Sequence, residues 1–278
     1  RKDADFHVLQ QRLGTNTTTE DFRLNTSINL SKFLPKSLGI NIPLTTSYSN
    51  SVSKPKYIPG SDIYINPASV PDSIKTLSES LSLSTSIKKS SKSDNRLIKY
   101  TLDNLNGSFS ASRQSFSNDI MEEKIDQSYN WKGAYNLSFG RDNYFSPFKW
   151  LSSVPLVGQK FEDFHLYYTP TSFSTNANLS EKISSKKPRN ARPSPHTYDL
   201  GLNRSFSLDY KFIESLSSQY KKAMTSDLDH IWSERGYNWD LEAFDTGIMT
   251  YTTENISTKF NPQLFSWLKP NFTHSANY

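Results

Sequence analysis

Residues 127–140 read QSYNWKGAYNLSFG. Tyr129, Trp131, Gly133, Tyr135, Leu137 and Phe139 share one parity. Ser128, Asn130, Lys132, Ala134, Asn136 and Ser138 share the other. Rings and a leucine take one side, and small or polar groups take the other. This is the period of a β-strand, whose successive side chains point to opposite faces. The fold turns on what apolar medium the ring face meets: a protein core, or the hydrocarbon of a membrane.

The same alternation recurs along the chain. Phe22, Leu24, Thr26, Ile28 and Leu30 alternate with Arg23, Asn25, Ser27 and Asn29. Leu38, Ile40, Ile42, Leu44, Thr46 and Tyr48 follow, then Leu81, Leu83, Thr85 and Ile87, and then Leu105, Gly107, Phe109 and Ala111. Beyond the opening stretch come Phe173, Thr175, Ala177 and Leu179, and the series Leu200, Leu202, Phe206, Leu208, Tyr210 and Phe212, broken only by Arg204. Weaker series lie at 216–220, 256–260 and 272–278. The pattern predicts about ten strands of roughly nine to fourteen residues. Most are long enough to cross a bilayer core when tilted, which takes about 9–11 residues.

The links fall into two alternating sets. Those at 31–37, 89–101, 140–163, 213–215 and 261–270 are mostly short. Those at 53–79, 113–126, 181–198 and 222–249 are expected to be long polar loops. The alternation of the two sets implies strands that run up and down, and outer-membrane barrels show this asymmetry. Segment 140–163 is the exception, being long and carrying Phe148, Trp150 and Leu151. Pro71–Leu77 looks like a short helix start, with Pro near N1 and an acid in the first turn. Thr225–Glu242 reads as an ordered surface loop with Trp232 and Trp239.

Composition sets outer bounds. The 278 residues are 35% hydrophobic, with a mean hydropathy of -0.65, low for a chain that must bury a large core. Yet 13% are aromatic, which argues against disorder. There is no cysteine, so no disulfide framework and no thiolate metal site. No apolar run is long enough for a transmembrane helix. The net charge of +5 is spread through polar links such as Lys88, Lys89 and Lys92, and no nucleic-acid-binding motif accompanies it.

Catalytic chemistry is not indicated. His7, His165, His196, His230 and His274 are far apart and form no metal-ligand spacing. Asp227, Asp229 and His230 fit a solvated acidic turn. No G-x-S-x-G, P-loop or G-x-G-x-x-G occurs. No enzyme, cofactor or metal is expected. Tyr and Trp near strand ends suit a membrane interface, where one end of the ring is apolar and the other reaches water. A β-sandwich core also uses them, so the residues alone leave both media open.

Ser37–Ile63, SLGINIPLTTSYSNSVSKPKYIPGSDI, resembles the signature hairpin of the SprA/Sov family. The likeness rests on a Ser/Tyr-rich strand running into a loop with Pro55, Lys56, Tyr57 and Pro59. LSLSTSIKK (81–89), LDNLNGSFSAS (102–112), YNWKGAYNLSF (129–139), FHLYYTPTSFSTNANLS (164–180) and LNRSFSLDYKF (202–212) are similar in order and spacing. The resemblance extends from about Phe22 to the end. It implies an arc of a much larger transmembrane β-barrel wall in the bacterial outer membrane. Residues 1–278 would be a single β-barrel segment and a fragment of a longer chain. The function implied is translocation of folded cargo proteins in type IX secretion, linked to gliding motility. Implied partners are outer-membrane lipid, cargo, an outer-membrane shuttle protein and a periplasmic plug.

On that basis Tyr129, Trp131, Tyr135, Leu137, Phe139, Phe206 and Leu208 are expected to face lipid. Asn130, Lys132, Asn136, Asn176 and Asn178 are expected to face a wet lumen. Arg204 conflicts with this, because it carries the ring parity in mid-strand. Two alternatives stay open: a complete small porin or transporter barrel ending at Tyr278, and a soluble secreted β-sandwich or adhesin.

Overall fold

A computed structural model describes residues 17–61, 63–149, 164–194, 196–229, 232–233, 236–237, 246–263 and 267–278. His7, Trp150, Leu151, His230 and Trp239 lie outside the described residues.

The strands in chain order are β1 (Thr17–Asn29), β2 (Ile40–Asn41), β3 (Pro43–Pro55), β4 (Thr76–Lys89), β5 (Leu105–Ser117), β6 (Met121–Ser138), β7 (Tyr144–Phe145) and β8 (Leu166–Tyr167). They continue with β9 (Ser172–Pro188), β10 (Thr197–Ile213), β11 (Leu216–Asp227), β12 (Trp232–Ser233), β13 (Gly236–Tyr237), β14 (Ile248–Phe260) and β15 (Phe272–Asn277). The main sheet runs β1-β3-β4-β5-β6-β9-β10-β11-β14-β15, with β2 beside β4. Long strands that follow one another in the chain are neighbours in the sheet. The expected all-β, antiparallel, up-and-down architecture is the one the chain adopts. Two small ribbons, β7-β8 and β12-β13, stand apart from that path. No described helix is long and apolar enough to cross a membrane.

Residue contacts divide the chain into two compact units. One comprises 1–87, 108–131 and 180–200; the other comprises 88–107, 132–179 and 201–278.

In the first unit the register places apolar opposite apolar. Leu24 pairs with Tyr48 and Tyr48 with Leu81; Ile28 pairs with Leu44. The intervening rows are polar: Asn25 with Ser47 and Ser47 with Ser82, Arg23 with Ser49 and Ser49 with Ser80. A one-residue slip would move every ring to the serine face, so the pattern fixes the register.

Expected loop 113–126 is replaced by strand. β5 runs to Ser117 and β6 starts at Met121, leaving a three-residue turn. Asn118 shapes it: its backbone N–H donates to Met121 O at 2.8 Å, and its Oδ1 accepts from the N–H of Ile120 (3.1 Å) and Met121 (2.7 Å). Polar side chains on both faces hide a strand from hydropathy but do not stop its backbone from pairing. The other expected loops shorten for the same reason. The observed links are 56–75, 189–196 and 228–247, and the last holds the β12-β13 ribbon. Link length therefore does not separate the two sheet ends as the sequence suggested. The expected helix start at Pro71 is a single 3-10 turn, Asp72–Ile74, before β4 begins.

In the second unit, β10, β11, β14 and β15 pair in sequence. Leu208 lies opposite Tyr220, Tyr220 opposite Ile256, and Ile256 opposite Ala276. The β4–β5 link holds helix α1 (Arg96–Tyr100), capped by Asn95 Oδ1, which accepts from Leu97 N at 2.9 Å. Asp103 closes this link by accepting from Lys89 Nζ and from the Ser93 backbone N–H (2.6 Å). That cation and that N–H hold the Asp103 carboxyl below the usual carboxylate range.

Candidate functional site

The functional feature is a sheet with two chemically distinct faces. In the first unit the ring face carries Phe109, Tyr129 and Trp131. Phe109 and Trp131 meet at 5.4 Å between centroids, and Tyr129 stacks on Trp131 at 6.0 Å and 21°. Two residues apart on one strand, Tyr129 and Trp131 share a face, as their parity requires. The opposite face is hydroxyl-rich: Ser112 and Ser128 share a hydrogen bond of 2.8 Å, and Ser184 Oγ donates to Asp126 at 2.6 Å. Asn130 shares the parity of Ser128.

In the second unit an aromatic ladder crosses four strands. Tyr135 meets Phe173 at 6.0 Å, Phe173 meets Phe206 at 5.2 Å, and Phe206 meets Tyr220 at 5.9 Å, each edge to face. Such pairs contribute about 0.5–1.5 kcal/mol beyond their buried area. The Tyr135 hydroxyl donates to the carbonyl of Tyr100, so its polar end is satisfied. Leu137 and Leu208 share the parity of this ladder. Phe139 lies one residue past β6, where its N–H donates to Thr171 O at 3.1 Å.

The other face of this unit carries amides, hydroxyls and a carboxylate. Asn176 Nδ2 donates to Ser205 Oγ at 3.3 Å, and Thr225 Oγ1 donates to Asn203 at 2.8 Å. Asp209 accepts from Ser172 Oγ at 2.6 Å and from Gln219. Lys132, Asn136 and Asn178 share the parity of Asn176 on their strands. On their strands Tyr129, Trp131, Tyr135, Leu137, Phe206 and Leu208 carry the ring parity, and Asn130, Lys132, Asn136, Asn176 and Asn178 carry the other; Phe139 lies past the end of β6. Phe173 and Tyr220 complete the ladder and were not singled out; their signal is parity plus strand order.

Arg204 does not project bare from the ring face. It is half-buried, and Nη2 donates at 2.9 Å to the hydroxyl of Ser226, itself only 1% exposed.

The motif residues build a small hairpin. Pro55 ends β3 opposite Thr17. Lys56 O accepts from Ile65 N at 2.9 Å, and Ile58 N donates to Ile63 O at 3.0 Å. Tyr57 bridges Tyr64, their rings edge-on at 6.0 Å. Pro59 and Gly60 are the central residues of a turn closed by Ser61 N donating to Ile58 O at 2.9 Å, and Gly60 sits at φ +78°. Pro at i+1 and a left-handed Gly at i+2 are what a type II turn requires.

One ionisable cluster ties a link to a strand turn in the second unit. The Tyr167 hydroxyl donates to the Glu214 carboxylate, which also pairs with Lys211; Lys211 Nζ lies 5.3 Å from the Tyr167 ring centroid. Tyr210 OH donates to Tyr167 O at 3.0 Å. The Lys211 cation, then the Tyr167 hydroxyl, holds the Glu214 carboxyl below its ordinary 4.5. The carboxylate in turn pushes Tyr167 up to about 12. A depressed carboxyl stabilises the tie above pH 4.5, and that contribution is lost as pH falls through its folded value. A raised phenol stabilises it below pH 10, and the contribution disappears as pH rises from 10 to about 12. Glu214→Gln is expected to return Tyr167 toward 10, read as the pH midpoint of the Tyr167 ring carbon resonance. An unchanged midpoint would show that the carboxylate does not set it.

Among the described residues no group of acids and histidines is placed to hold a metal ion. Residues 4–68 match the model of the SprA_N family, described as a motility related/secretion protein. The match covers less than half of the chain and makes that part similar to the family. It spans β1 and the Tyr57–Tyr64 hairpin, the segment on which the sequence resemblance was strongest. It supports a motility- or secretion-related protein. No curated protein matches the chain.

Proposed function

We propose that this chain forms part of the wall of a large outer-membrane β-barrel that passes folded cargo proteins in type IX secretion. The observation that carries this reading is the antiparallel meander with one ring face and one Asn/Ser/Thr face, neither buried as a core. Among the described residues the buried hydrophobics are Val70, Leu200 and Leu228, while Phe22 and Leu24 are 58% and 54% exposed. A soluble sandwich would cover its ring row with a second sheet. Lipid satisfies that row, and neighbouring strands satisfy each other's backbone groups, which is the condition for a sheet in hydrocarbon. The polar face lines the passage. Neutral amides and hydroxyls on it pair with one another at Asn176–Ser205 and Thr225–Asn203, so these groups are less available to hold a passing protein surface.

The mechanism has no chemical step: the wall separates lipid from water and lets cargo slide. Outer-membrane lipid, cargo, a shuttle protein and a periplasmic plug are the partners of this reading. Removing the protein that carries this chain should leave C-terminally tagged cargo inside the cell. Cargo still found outside at wild-type levels would overturn the proposal.

A further inference from the structure

The strands are longer than a bilayer needs. β10 has 17 residues and β6 has 18, whereas about 9–11 suffice for a tilted crossing. The ring face itself shows where the surplus lies, and it does so in each unit separately.

In the second unit, counting from the β10–β11 turn, the ring parity of β10 reads Phe212, Tyr210, Leu208, Phe206 and then Arg204. On β11 it reads Leu216, Ser218, Tyr220 and then Lys222. On β14 it reads Phe260, Thr258, Ile256 and then Glu254. Each strand changes from apolar or hydroxyl groups to a charge at nearly the same height. Lys222 lies opposite both Phe206 and Glu254, and it pairs with Glu254 at 2.6 Å. This pair is on the ring face, and both side chains are about one-third exposed.

The first unit repeats the change. Leu24, Tyr48 and Leu81 form one row, and the next row is Phe22, Asn50 and Glu79. One step further, Glu20 and Lys54 pair at 2.6 Å. Val52, Leu77 and Met224 keep the ring parity past this line, but they stand beside charged neighbours. At the opposite strand ends the links carry exposed apolar groups, among them Phe33 (81%) and Leu97 in one link each, and Trp267 (78%).

We propose that the hydrocarbon ends at the Asn50–Glu79 row in the first unit and at the Lys222–Glu254 row in the second. Strand residues past those rows stand outside the acyl chains, and the links bearing Phe33, Leu97 and Trp267 lie in the opposite interface. This rests on the membrane reading above and adds the depth at which the wall sits. A charged side chain at the bilayer midplane is costly, and the cost falls to near zero at the interface. An ion pair on the lipid parity is therefore tolerated at that level. Arg204 is accommodated by the same placement. From the charged row to the turn, each strand offers roughly six to ten residues, about 20–35 Å along its axis. Tilt shortens that reach, which is why the apolar links are drawn into the interface.

Single cysteines can be placed in this cysteine-free stretch of the protein that carries it, at Leu24, Leu208, Val52 and Met224, and labelled in lipid vesicles. Ser207, on the polar face, reports folding by its access to aqueous iodide. Leu24 and Leu208 labels should be quenched several-fold more by brominated acyl chains than Val52 and Met224 labels, which should respond to iodide. Equal acyl-chain quenching at all four sites would overturn the boundary while leaving the membrane reading intact. Acyl-chain quenching at none of them, with the Ser207 control normal, would overturn both.

Discussion

Leu208→Arg is expected to destabilise the folded wall in a bilayer by about 1–3 kcal/mol, between the full cost of an arginine at the lipid-facing midplane of a barrel and its near-zero cost at the interface. Ser207→Arg, one residue away, should stay within about 0.5 kcal/mol, as a wet surface substitution does. Leu208 is placed for this contrast: it lies opposite Tyr220, between Phe206 and Tyr210 on its own face, and on the apolar side of the Lys222–Glu254 row. Ser207 lies opposite Lys221, so the polar face already carries a cation there. The measurement is the shift of the denaturant midpoint in lipid vesicles. In water the same Leu208→Arg change would cost little, because a half-exposed leucine on an uncovered sheet loses only part of its contact area. Equal, small effects at both positions would therefore remove lipid as the medium of the ring face.

Arg204 shows why parity alone cannot assign a medium. Parity places it with Phe206 and Leu208, and the sequence then demands an arginine in hydrocarbon. The structure retains the parity and changes the surroundings: Arg204 is half-buried, bonded to a buried serine, and past the Lys222–Glu254 pair. Height along the strand is a second coordinate. It becomes visible only when neighbouring strands are placed in register.

The strands were legible where one face is apolar, as in β3, β4 and β10. They were harder to see where the pattern comes from neighbours. β11, LSSQYKKAMTSD, reads as a weak strand because Ser218 and Lys222 interrupt its ring parity. It pairs along its length with both β10 and β14, which supply the context its own residues lack. The polar ends of β5 and β6 were read as loop for a related reason. Two wet faces produce no alternation, and only the Asn118 turn marks where the chain reverses. The ladder from Tyr135 through Phe173 and Phe206 to Tyr220 needed strand order as well as parity. The Tyr167–Glu214–Lys211 tie joins a link to a turn 47 residues away and left no local signal.

Gly247→Ala should cost about 2–5 kcal/mol, combining a left-handed backbone penalty of about 1–2 kcal/mol with overpacking of about 1–3 kcal/mol. Gly247 sits at φ +76°, and a Cβ there would lie 2.4 Å from Asp227 O and 2.8 Å from Leu228 Cγ. Leu228 is fully buried, so Leu228→Ala should itself cost about 2–5 kcal/mol. The two changes should not add, because shortening Leu228 removes one clash with the new methyl group. The clash with the Asp227 carbonyl remains, since it is backbone. Gly247→Asn separates the two causes. Asparagine tolerates a positive φ, so a purely conformational penalty would leave it near wild type, whereas the steric one predicts a loss as large as that of alanine. Denaturation of the variants, read by protease susceptibility of the 228–247 link, decides between them. Near-wild-type stability of Gly247→Asn would show that the contact with Asp227 O relaxes and that backbone conformation alone keeps glycine there.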